Sequence, residues 1–130
     1  MSSYEILALS GLVITMLALV MIVLSKQQTG SYLLASMLSA GFGAYSVVTV
    51  YREGLLTVWT NHTQNLWGIQ VWWDLLFAVA IAFVFIVPRA RQVGMSIPVW
   101  ALLVASTASI ALLAMIARLF WLEHQLDAPE

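Results

Sequence analysis

Apolar residues run along this chain in four long blocks, each ended by polar or charged residues or by a proline. The first extends from Ile6 to Leu24 and stops at Ser25-Lys26-Gln27-Gln28. The second extends from Tyr32 to Tyr51 and stops at Arg52-Glu53-Gly54. The third extends from Leu66 to Val87, where Pro88-Arg89 closes it. The fourth extends from Ile97 to Leu119 and ends among Glu123-His124-Gln125. Crossing ~30 Å of hydrocarbon at ~1.5 Å per residue takes roughly 20 apolar residues. Each block meets that length, so the pattern predicts transmembrane helices over residues 6–24, 32–51, 66–87 and 97–119. The joining segments are short, which makes consecutive helices antiparallel. The predicted fold is all-α: an integral membrane up-down bundle of four transmembrane helices, forming one domain over residues 1–130.

Composition strengthens this picture. Of the 130 residues, 62% are apolar and 8% are charged, with a mean hydropathy of +0.95. A soluble domain carries about 25% charged residues, so this chain cannot cover a water-facing surface. The net charge of −1 offers no basic stripe for nucleic acid. Absence of cysteine removes disulfides, thiolate metal sites and thiol catalysis. The first apolar block follows Met1 to Glu5, a segment without Lys or Arg. A cleaved signal peptide starts with a basic segment, so this block is read as a retained helix.

Charge placement suggests an orientation. The first and third connections hold Lys26, Arg89 and Arg91 without an acidic residue, whereas Arg52, Arg118, Glu5, Glu53, Glu123, Asp127 and Glu130 fall towards the other face. The positive-inside rule then makes the first face cytoplasmic and places both termini outside. In a bacterial inner membrane that outside is the periplasm.

Helices in lipid associate through close backbone approach and polar contacts. The second helix carries the clearest packing seam, with Ser36, Ser39, Gly43 and Ser46 at helical spacing. Gly11, Thr15 and Ala18 form a similar stripe on the first helix. The fourth has two stripes, Ala101-Ala105-Ala108 and Thr107-Ala111-Ala114-Arg118. That is more contact surface than a monomeric bundle needs, and it points to a homo-oligomer or a larger assembly.

Asp74 is the candidate residue with the most chemical content. It lies eight positions into the third helix, ~12 Å from its outer end, where a carboxylate costs up to about 2.5–3.5 kcal/mol. Gln70 shares its face and is within hydrogen-bonding reach. Arg52 and Arg118 are its candidate partners, about 9 Å further out. The four residues define a candidate polar cluster, which either fixes how the third helix docks or serves as a proton or cation site. Trp59, Trp67, Trp72, Trp73 and Trp121 also fall towards the outer face. They read as an interfacial aromatic belt or as a surface for a quinone, pigment, lipid or partner helix.

Other chemistries lose their residues. His62 and His124 lie outside the spans, so no bis-His haem site forms, and no metal-ligand spacing occurs. No lysine lies within a span for a retinal Schiff base. Asn61-His62-Thr63 matches a glycosylation sequon. The expectation is therefore no cofactor, no metal and no catalytic residue.

Asp74-Leu75-Leu76, a long apolar run, and Pro88-Arg89-Ala90-Arg91-Gln92-Val93-Gly94-Met95 before the last span resemble a bacterial family of small inner-membrane proteins of unknown function. The resemblance covers less than half of the chain and implies a bacterial four-helix protein without implying a chemistry. Length and helix number are also similar to those of the small multidrug exporters, which depend on a glutamate inside the first helix. Here Glu5 precedes that helix. The leading expectation is a non-enzymatic accessory subunit whose partners are membrane lipid and other membrane subunits or further copies of itself. A transporter using Asp74, or a binder of a lipophilic molecule at the tryptophans, is the alternative.

Overall fold

The computed structural model describes residues 1–26 and 30–128. Gln27, Gln28 and Glu130, which enter the charge and boundary arguments above, lie outside the described residues. Among the described residues all regular structure is helical: α1 Ser3–Leu24, α2 Tyr32–Glu53, α3 Thr57–Thr63, α4 Leu66–Gln92, α5 Ile97–Thr107 and α6 Ser109–Asp127. Four of these, α1, α2, α4 and α6, are long and apolar enough to cross a membrane. The chain exposes 10238 Å², whereas a compact water-soluble protein of 14.4 kDa exposes about 6,800 Å². Many large apolar side chains along these helices contribute to that exposed surface.

The helix starts follow local chemistry. Ser2 accepts from the Glu5 amide while Glu5 accepts from the Ser2 amide, a reciprocal cap that satisfies two otherwise orphaned donors. Ser31 caps α2 through the Leu34 amide and Asn65 caps α4 through the Gly68 amide. α4 does not stop at Pro88, as the sequence predicts, but continues to Gln92. Proline removes one backbone donor, a loss that α4 tolerates. The stop signal lies at Gly94, with φ of +77°. There the Met95 amide donates to the Ala90 carbonyl at 3.0 Å and the Gly94 amide to the Arg91 carbonyl at 3.1 Å. That bond pair is a Schellman motif, in which the left-handed position favours glycine.

The predicted fourth span over 97–119 is divided. At Ala108 the backbone takes φ 49° and ψ −115°, ending α5 and starting α6. Local bonds support the break: the Ala108 amide donates to the Val104 carbonyl at 2.7 Å, and the Thr107 hydroxyl oxygen accepts from the Ala111 amide at 3.1 Å. Ala90 and Met95 pack with Met115 and Leu119 in one buried cluster, joined by Ile97 and Trp100. An uninterrupted helix would hold Met115 ~27 Å from Ile97, so α5 and α6 fold back on each other as a hairpin.

α6 runs antiparallel to α2. The Gly30 position faces the Phe120 ring, the Tyr32 and His124 rings are 6.1 Å apart, and the Ser39 hydroxyl donates to the Ile110 carbonyl at 2.9 Å. Ile110 also lies against Gly43, half-way along α2. The hairpin therefore reaches only about half the depth of α2. The rest of the molecule is open: every residue of α1 is exposed, and α3 packs on the start of α4.

Candidate functional site

The C-terminal ends of α4 and α6 meet through an ion pair. Arg89 donates from Nε to Glu123 Oε1 at 2.9 Å and from Nη2 to Oε2 at 2.6 Å. This fork-to-carboxylate geometry is the strong form of a charged hydrogen bond. The Phe120 ring lies 5.6 Å from the Arg89 guanidinium carbon. The contact corrects the facial assignment of Glu123, Arg118 and Trp121. The fold-back at Ala108 carries all three to the end of the molecule that holds Arg89 and Arg91. Lys26, four residues before Gly30, belongs to the same end. Lys26, Arg89, Arg91 and Arg118 thus share one end with Glu123 and Asp127, while Arg52 and Glu53 lie at the other.

The predicted polar cluster does not assemble. Asp74, Gln70, Arg52 and Arg118 are all exposed. Among the described residues Asp74 makes no hydrogen bond or ion pair, and Arg118 instead places its guanidinium carbon 5.0 Å from the Trp121 ring centre. The physical reason is the hairpin: it moves Arg118 to the opposite end from the α3–α4 corner beside which Asp74 lies. Asp74 is fifteen residues from Arg89 along α4, or ~22 Å, still inside ~30 Å of hydrocarbon if Arg89 marks one boundary.

The tryptophans separate in the same way. Trp59 meets Trp72 edge-on with ring centres 6.2 Å apart, and His62 lies 5.6 Å from Trp72. These contacts fasten α3 to α4. Trp73 packs beside Phe77 at 5.3 Å, and Trp67 is 75% exposed. Trp121 lies at the other end and does not join them. Gly68 makes the α3–α4 approach possible, because a Cβ there would meet the Asn61 carbonyl oxygen at 2.9 Å.

The α2 seam residues Ser39, Gly43 and Ser46 are half-buried, and Ser36 is exposed. Beside them an open-sided groove of about 440 Å³ runs between α2 and α6, lined by Tyr32, Ser36, Ser39, Ala40, Ala114, Ala117, Arg118 and Trp121. Sequence reasoning missed this groove and the Arg89–Glu123 pair, since both depend on the reversal at Ala108. No group of three or more metal-binding side chains occurs among the described residues.

These features define an all-helical protein with four membrane-length helices, one of which belongs to a fold-back hairpin. No protein-family model, curated protein or solved structure matches the chain.

Proposed function

We propose that the chain is a non-enzymatic integral membrane subunit that completes its packing against partner helices, in a larger bacterial inner-membrane complex or in a homo-oligomer. The carrying observation is Asp74, whose side chain is exposed and unbonded among the described residues on a helix long and apolar enough to cross a membrane. A carboxylate facing lipid tails is expensive, and polar side chains in spans face protein or a water-filled cavity. A partner helix offering a donor would remove that cost. α1 adds a second uncovered surface, with Gly11 open to its surroundings.

The proposed topology has α1, α2 and α4 crossing the membrane and the α5–α6 hairpin entering from the basic end. That end carries four Lys or Arg residues (Lys26, Arg89, Arg91 and Arg118) against Arg52 at the other, so the positive-inside rule assigns it to the cytoplasm. The N-terminus is then periplasmic and the C-terminus cytoplasmic.

Gentle extraction from the native membrane followed by native mass spectrometry tests the subunit reading. The expected result is a defined assembly larger than the 14.4 kDa chain, diminished in an Asp74→Leu variant that still inserts. Recovery of the monomer alone, unchanged by the substitution, would remove the reading.

A further inference from the structure

The groove between α2 and α6 has a polar mouth at one end and a small-residue floor. Its floor runs from Ser36 to Ala40 on α2 and past Ala114 on α6, and Tyr32, Arg118 and Trp121 stand at the mouth. Tyr32 and Ala40 are eight residues apart, giving a length of ~12 Å. Small side chains on both helices leave the groove open instead of closing it by interdigitation. The groove is open along one side and has a volume of about 440 Å³.

Arg118 decides what fits there. It follows Ile110 by eight residues, ~12 Å along α6 from a position level with the middle of α2. On the topology proposed above, that depth is just inside the cytoplasmic edge of the hydrocarbon. Arginine at such a depth extends its head towards the interface. Arg118 lies over Trp121, three residues nearer that interface. Arg89 has a carboxylate partner in Glu123, while Arg118 makes no ion pair among the described residues. An anion reaching Arg118 from the membrane plane would find an oriented guanidinium and, below it, an apolar channel parallel to the helices.

We infer that the α2–α6 groove binds an anionic phospholipid, with its phosphate on Arg118 at the mouth and one acyl chain along the Ser36–Ala40 and Ala114 floor. This inference rests on the proposed membrane placement. Charge complementarity supplies the attraction, since a guanidinium pairs with phosphate oxygens through parallel hydrogen bonds. The groove supplies the selectivity for a phosphate that carries a chain.

The test uses the full chain, purified in a mild detergent with mixed phosphatidylglycerol and phosphatidylcholine, and reads retained lipid by native mass spectrometry. Wild type is expected to retain phosphatidylglycerol about fivefold over phosphatidylcholine, the scale of one basic contact to an anionic lipid. Arg118→Gln should abolish the preference. Ser36→Leu should lower lipid retention while keeping Arg118, because the new side chain occupies the floor. Arg91→Gln, at the same end but outside the groove, should leave the preference unchanged. Circular dichroism of each variant checks that helix content is retained.

Equal losses in Arg91→Gln and Arg118→Gln would overturn the inference in favour of a general basic surface. Displacement of the lipid by millimolar inorganic phosphate alone would overturn it in favour of a simple phosphate site. Retention unaffected by Ser36→Leu would remove the groove from the account. Failure of the membrane placement gives a different signature: the wild type would stay out of membranes and retain neither lipid.

Discussion

Arg89 and Glu123 are joined by two hydrogen bonds across 34 residues of sequence, and this pair fixes the end of α6 beside the end of α4. Glu123 is 17% exposed at its side chain and Arg89 is 42% exposed. The pair is therefore partly screened, and its contribution lies nearer that of surface pairs than of buried ones. Glu123→Gln is expected to lower stability by about 1 kcal/mol. Arg89→Gln should cost more, because it also loses the Phe120 contact. A double-mutant cycle from unfolding in detergent should give a coupling energy of about 0.5–1 kcal/mol. Strict additivity would mean that the pair contributes nothing.

Ala108 offers a test whose sign alone decides. Its φ of 49° is unfavourable for a residue with a Cβ, with a strain of about 1–3 kcal/mol. Ala108→Gly should therefore stabilise the hairpin by up to about 1 kcal/mol. In an uninterrupted helix the same change would destabilise by about 1 kcal/mol. Denaturant unfolding of the two proteins in the same detergent distinguishes these outcomes.

Gly43 faces Ile110, and a Cβ added there would lie at 3.6 Å, an ordinary contact. Gly43→Ala is expected to be tolerated, whereas Gly43→Leu should overpack the α2–α6 contact and cost about 1–3 kcal/mol. Thermal unfolding checks the pair. Equal stability of both variants would show that α2 and α6 are not in contact at this level.

Gly68 tests how α3 is held. Its close neighbours are backbone atoms of Asn61 and His62, which cannot rotate away as a side chain can. Gly68→Ala should separate α3 from α4 and expose the half-buried Trp72 to quencher. Unchanged quenching of tryptophan fluorescence would contradict this packing.

The helical class and the membrane-length helices α1, α2 and α4 were legible in the sequence because hydrocarbon thickness sets a length that composition displays directly. Three features were not legible, for a common reason. The break at Ala108 falls at a residue with high helix propensity, without proline or glycine to announce it. With the last span read as continuous, Arg118, Trp121 and Glu123 were assigned to the wrong end. Arg89–Glu123 and the Arg118 groove were then invisible, and an Asp74–Arg118 pairing looked reachable. Continuation of α4 beyond Pro88 was hidden because its stop signal depends on the Gly94 conformation and the buried Ala90–Met95 contact.

The proposed topology, with the hairpin entering from the basic end, puts the two ends of the chain on opposite sides of the membrane, and a continuous fourth span would put them on the same side. The chain has no cysteine, so single substitutions give clean reporters. Ser2→Cys and Gln125→Cys should be labelled with a membrane-impermeant maleimide in intact and in opened cells. Ser2→Cys should react in intact cells and Gln125→Cys only after opening. Reaction of both in intact cells would contradict the half-depth hairpin and restore a continuous fourth span.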